Sequence, residues 1–137
     1  MIKKIMKIQG AYIDPELVVR AIVEVEDQKL FTVKLDSVGA KFTLTYENMA
    51  ELKKDMKSLR LKMADWKCRY FLQPDFVYDI IVHEYPKDFD NRYQLEVYSF
   101  GCKSPFLISY PSEAGMLQKK HMLSQKLESI YIASKPN

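Results

Sequence analysis

One five-residue pattern, Ser-X-Gly-X-Lys, stands twice in the chain, as SVGAK at residues 37 to 41 and as SFGCK at residues 99 to 103. Each copy follows a stretch of alternating character: Phe31, Val33 and Leu35 against Thr32, Lys34 and Asp36, then Tyr93, Leu95 and Val97 against Arg92, Gln94 and Glu96. A period of two turns one face of a strand to the core and the other to water. A three-residue hairpin loop needs one left-handed residue, which Gly39 and Gly101 supply without a Cβ clash. Short strands follow at Phe42 to Tyr46 and Phe106 to Tyr110. A turn used twice in this setting commits the chain to two similar antiparallel sheets.

The correspondence extends outward in the same order. PELVVRAIV at 15 to 23 aligns without a gap on PDFVYDIIV at 74 to 82, Tyr46 faces Tyr110, and KKDM at 53 to 56 faces KKHM at 119 to 122. Strand alternation is expected for Leu17, Val19, Ala21, Val23 and Val25 in the first half and for Phe76, Tyr78, Ile80 and Val82 in the second. The period then changes. Asn48 with Glu51 makes a capping pair, and Met49, Leu52, Met56, Leu59 and Met63 form one apolar helical stripe. Pro111 and Ser112 start a second helix with Met116, Leu123, Leu127 and Ile130 along it, ending near Ala133, with Gly115 weakening its first turn. Ahead of each half lies one further segment read as a strand, IKKIMKIQGAYI and DWKCRYFL. The expected fold is therefore α+β: one domain over residues 1–137, an internal duplication of a β-β-β-β-α unit in pseudo-repeats 1–61 and 62–137, each antiparallel sheet backed by one helix.

At 137 residues the chain is long enough to bury a substantial core. Charge is spread evenly, with 11 basic and 9 acidic side chains in residues 1–61 and 10 and 9 in residues 62–137, so neither half is a charged tail. The N-terminal MIKKIMKIQGAYI interleaves lysine with isoleucine and lacks the apolar run of a signal peptide, and no segment has the length of a membrane span. A cytoplasmic protein without a membrane partner is expected, with Cys68 and Cys102 as thiols.

Catalytic and metal signatures are absent from the sequence. His83 and His121 are its two histidines, and it has no HxxxH, no CxxC, no phosphate-cradling glycine loop and no nucleophile elbow. Asp79 and His83 would share a strand face near Glu84, Asp88 and Asp90, which is a scattered set for acid-base work. No enzyme, no cofactor and no metal is the expectation.

Two β-β-β-β-α units in one short chain resemble the Whirly and PUR class of proteins that bind single-stranded nucleic acid. The resemblance is one of topology over the whole chain, and the lysine-rich strand motif of plant Whirly proteins has no counterpart here. It implies a non-enzymatic binder of single strands, ssDNA ahead of RNA. Residue types supply the physical case, since binding single strands takes cations along the backbone and flat side chains for stacking. In DWKCRYF, alternation would put Trp66 and Tyr70 on one face and Lys67 and Arg69 on the other. Lys3, Lys4 and Lys7 lie in the corresponding segment of the first half, and Lys41 and Lys103 follow the two glycine turns. These nine residues form the candidate nucleic-acid site. The alternative is a protein- or small-ligand-binding module such as a small inhibitor or accessory subunit, which the 9 Tyr and the pI of about 8.7 also suit. A homo-oligomer is expected under either reading, because sheet edges invite pairing.

Overall fold

The computed structural model describes residues 5–27, 29–87 and 92–134 and has an α+β fold, with antiparallel sheets and two helices. The chain forms two compact units, Met1–Gln73 and Pro74–Asn137. The first contains β1 (Met6–Ile8), β2 (Ala11–Ile13), a 3₁₀ turn at Pro15–Leu17, β3 (Val18–Asp27), β4 (Leu30–Ser37), β5 (Ala40–Tyr46), α1 (Met49–Ser58), β6 (Lys62–Met63) and β7 (Tyr70–Leu72). The second contains a 3₁₀ turn at Pro74–Phe76, β8 (Val77–Glu84), β9 (Tyr93–Ser99), β10 (Phe106–Tyr110) and α2 (Glu113–Ser134).

In the first unit a five-stranded sheet runs β5-β4-β3-β7-β6, and β1 and β2 form a separate hairpin. One sheet face carries Ala21, Val23, Val33, Leu35, Leu44, Tyr46 and Phe71, buried together with Ile8 and Ile13 of the hairpin and Leu52, Met56 and Leu59 of the α1 region. Each such aliphatic side chain contributes about 1.5–3 kcal/mol when fully buried. The Asn48 side chain accepts the Ala50 N–H at 2.7 Å and starts α1. Its stop is a left-handed Arg60, after which Leu61 N–H donates to the Met56 carbonyl at 3.0 Å. The helical stripe therefore ends at Leu59, and Met63 belongs to β6.

In the second unit β10-β9-β8 make a three-stranded sheet. Leu95, Val97, Phe106 and Ile108 are buried, as are Met116 and Leu123 of α2. The Ser112 hydroxyl accepts the Gly115 N–H at 3.1 Å at the helix start. The Ile130 side chain lies outside the described residues.

The two units repeat details that alternation alone does not fix. Both lead from a 3₁₀ turn into a β-bulge, with Val18 opposite Ser37 and Arg20 opposite Asp36 in one, and Val77 opposite Ser99 and Asp79 opposite Tyr98 in the other. Val38 N–H donates to the Leu17 carbonyl at 2.8 Å, and Phe100 N–H to that of Phe76 at 2.9 Å. Gly39 and Gly101 take φ of +78° and +80°.

The bulges correct the expected alternation. An extra residue shifts the parity by one, so Val18 and Val77 enter the core while Leu17 and Tyr78 are exposed. Two further corrections concern turns. Ser37 pairs with Ala40, so the first loop has two central residues, Val38 and Gly39, instead of three. Within IKKIMKIQGAYI, residues 6–13 are a hairpin and not one strand, because Gln9 and Gly10 both take positive φ and reverse the chain. Residues 62–72 pair within the first unit's sheet, β7 lying antiparallel to β3.

Candidate nucleic-acid interface

Two hairpins of the first unit each carry an exposed aromatic ring with a lysine over it. In the β1–β2 hairpin Met6 and Ile8 face inward with Ala11 and Ile13, which leaves Lys7 and Tyr12 directly opposed on the outer face. The Lys7 ammonium is 5.5 Å from the centre of the Tyr12 ring, and Tyr12 is 67% exposed. The turn is anchored as well as shaped. The Gln9 amide donates to the Thr45 carbonyl at 2.6 Å and accepts the Thr45 N–H at 2.9 Å, so it occupies the outer edge of β5 as a neighbouring strand would.

The second hairpin joins β6 to β7 through residues 64–69. Asp65 is buried, and its Oδ1 accepts the N–H groups of Arg69 at 2.9 Å and Tyr70 at 3.0 Å. Cys68 adopts a left-handed φ of 60° and directs its Sγ to the Met63 sulfur at 3.1 Å. These contacts fold the segment back on itself and hold its tip out. Trp66 is 62% exposed there, with the Lys67 ammonium 5.3 Å from its ring centre. A cation–π contact of this kind fixes the lysine over one ring face and leaves the other available.

This geometry corrects the expected strand over DWKCRYF. Residues 65–68 are a turn, so Trp66 and Tyr70 share no strand face, and Trp66 sits beside Lys67 instead of opposite it. Tyr70 is half-buried on β7 opposite Ile22, and its hydroxyl is pushed above the ordinary phenol range by burial and then by the Asp65 charge. Arg69 is half-buried, and its carbonyl accepts the Val23 N–H at 2.8 Å.

The remaining candidates are distributed differently. Lys41 is exposed on β5 opposite Asp36, whose carboxylate binds the Arg20 guanidinium at 3.1 Å. On the same sheet face Lys34 pairs with Glu24 at 3.3 Å, so the face is balanced in charge. Lys103 is exposed in the bend after Gly101 in the second unit. Lys3 and Lys4 lie outside the described residues. The structure thus brings Lys67 to Trp66 and adds Tyr12, absent from the sequence-derived set, as the partner of Lys7. Its signal was the Gln-Gly pair at residues 9 and 10, which sets Lys7 opposite Tyr12 once read as a two-residue turn.

The outer face of the second unit differs in kind. Tyr78 lies 4.8 Å from Phe100 and 6.0 Å from Tyr98, between ring centres, and Ile81 and Leu107 are exposed on the same sheet. The Tyr98 hydroxyl donates to Glu96, which His83 Nε2 also meets at 2.9 Å. Those two bonds, that from Tyr98 first, hold the Glu96 carboxyl below the usual carboxylate range. Asp79 and His83 do share a strand face, but His83 is engaged by Glu96, and Asp88 and Asp90 lie outside the described residues. Among the described residues no group of three or more His, Cys, Asp or Glu is placed to hold a metal. No helix among them is long and apolar enough to cross a membrane. Comparison with protein-family models, with curated proteins and with solved structures found no match.

Proposed function

We propose that this protein binds single-stranded nucleic acid without catalysing a reaction on it, using the two first-unit hairpins as stacking platforms. The carrying observation is the pair of exposed rings, Tyr12 and Trp66, each with a lysine about 5 Å away. A base stacked on such a ring contributes about 1–3 kcal/mol, and the adjacent ammonium suits the phosphate that follows the base. Both hairpins close one core, through Ile8 and Ile13 in one and Cys68 and Phe71 in the other, so the rings stand on packed supports. DNA is the first substrate to test. Binding a single strand needs no cofactor, and a homo-oligomer would multiply the platforms along one strand.

Fluorescence anisotropy of a labelled dT oligonucleotide and its duplex counterpart tests the proposal. Preference for the single strand, weakened in Trp66→Ala and Tyr12→Ala, supports it. Equal binding to both forms, or affinity unchanged in the two variants, refutes it.

A second reading rests on the Tyr78, Tyr98 and Phe100 cluster, which has the tyrosine-rich, acid-bordered character of a protein-binding surface. It assigns the second unit to a protein partner. Retention of a partner by the isolated chain that is lost in Phe100→Ala would support it, and retention unaffected by that change would remove it.

A further inference from the structure

The open edge of β8 corresponds to a filled edge in the first unit. There β7 lies against β3, with Arg20, Ala21 and Ile22 opposite Leu72, Phe71 and Tyr70. The Val19 carbonyl accepts the Gln73 N–H at 3.0 Å, and the Val23 N–H donates to the Arg69 carbonyl at 2.8 Å. Residues 19, 21 and 23 of β3 therefore direct their peptide groups toward β7. Through the shared bulge their counterparts in β8 are Tyr78, Ile80 and Val82. Among the described residues β8 has β9 on one side and no strand on the other. Its Ile80 N–H is instead held by the Asp79 carboxylate at 2.9 Å. Tyr78, Ile81 and Val82 are all exposed.

We infer that this edge pairs antiparallel with β8 of a second copy of the chain, about a two-fold axis at Ile81, to make one continuous six-stranded sheet. Three features select that occupant and register. The first is hydrogen-bond parity: a register with Ile80 opposite the second copy's Val82 matches outward-directed peptides with outward-directed peptides. The second is complementarity. The same register sets Asp79 opposite His83, Ile80 opposite Val82 and Ile81 opposite its own copy, with Tyr78 facing Glu84 at the ends, so Asp79 meets an imidazole and the three central apolar side chains meet apolar ones. A shift by two residues sets Asp79 against Ile81, which loses the acid–imidazole pair and the apolar partner of Ile81. The third is the Asp79 carboxylate, which releases the Ile80 N–H to the incoming Val82 carbonyl and is then free to face His83. A two-fold axis through the sheet also keeps the α2 sides of both copies on one face, so no apolar face is turned to water.

This inference does not depend on the nucleic-acid reading, whose residues lie in the other unit. Its test is sedimentation equilibrium of the full chain and of two edge variants. Ile81→Lys sets two ammonium groups across the axis at a site already exposed, and Val82→Pro removes an N–H that serves only the second copy. The expected result is a dimer in the parent and association weakened about a hundredfold or more, toward monomer, in both variants, with far-UV circular dichroism unchanged. Ile81→Cys supplies an independent readout, because cysteines on a two-fold axis oxidise to a dimer joined through residue 81, identified by peptide mass spectrometry. A parent that stays monomeric at high concentration, a dimer that survives both edge variants, or Ile81→Cys that fails to cross-link a dimeric protein overturns it.

Discussion

Asp65→Ala is the perturbation that most directly separates a built hairpin tip from a loose loop. The Asp65 carboxylate is buried and accepts two backbone N–H groups through Oδ1, from Arg69 and Tyr70. A hydrogen bond to a charged group contributes about 1.5–3 kcal/mol, and an N–H left without a partner costs its desolvation. Arg69 and Tyr70 are half-buried, so water recovers part of the loss. The expected destabilisation is about 2–3 kcal/mol for Asp65→Ala and about half of that for Asp65→Asn, which keeps a neutral acceptor in place. Urea unfolding followed both by circular dichroism and by Trp66 emission reads it, as a midpoint lowered by about 1–2 M. Trp66 is the one tryptophan in the chain and sits on the loop being tested, so its emission should also report a looser tip before unfolding. A destabilisation below about 0.5 kcal/mol, or an Asn variant as damaged as the Ala variant, would refute the assignment of the tip's shape to this carboxylate.

Other expectations follow from equivalent or isolated contacts. The Tyr46 hydroxyl donates to Asp55 at 2.6 Å, so Tyr46→Phe should cost about 1 kcal/mol in chemical denaturation at neutral pH. Burial, then the Asp55 bond and charge, raise the Tyr46 phenol above its ordinary value, so its stabilisation is complete below pH 10 and falls above it, as the unfolded chain ionises first. The gap between parent and Tyr46→Phe should therefore narrow by up to about 1.4 kcal/mol per pH unit above pH 10, and parallel curves would contradict this. A Cβ at Gly39 or Gly101 meets nothing within 4 Å, so Gly→Ala at either should cost only the left-handed strain, about 1–2 kcal/mol, by a similar amount in thermal melts. Unequal costs would break the equivalence of the two turns. The Ser37 hydroxyl donates to the Leu17 carbonyl at 3.0 Å, whereas the Ser99 hydroxyl is buried without a partner. Ser37→Ala should lose about 1 kcal/mol, while Ser99→Ala should be neutral or stabilising by differential scanning calorimetry.

How far the fold was legible depended on whether the signal was local. The alternation before each glycine turn, the Asn48 cap and the Leu52, Met56 and Leu59 stripe all appear in the structure because each is fixed within a few residues. Bulges were not legible. In PELVVRAIV and PDFVYDIIV the apolar residues run together, so an added residue at Val18 or Val77 leaves no gap to notice. DWKCRYF misled for a related reason. Its alternation is real, but the Asp65 carboxylate offers the backbone a turn, and that local bond competes with the strand. Of the candidate site, Lys7, Trp66 and Lys67 are exposed and paired with an aromatic contact, whereas Tyr12 emerged only from the hairpin register. Pairing of β7 with β3 is long-range and had no sequence marker.

In the proposed function the two hairpins hold a nucleic-acid strand by stacking and phosphate contact together. The most direct measurement is the affinity for a dT oligonucleotide across a salt series, for the parent, Lys67→Gln and Lys7→Gln. Each lysine that neutralises a phosphate should contribute about 0.7 to the slope of log affinity against log salt on a single strand. Either substitution should lower the slope by about that amount and weaken binding at low salt. Slopes and affinities identical to the parent in both variants would contradict it.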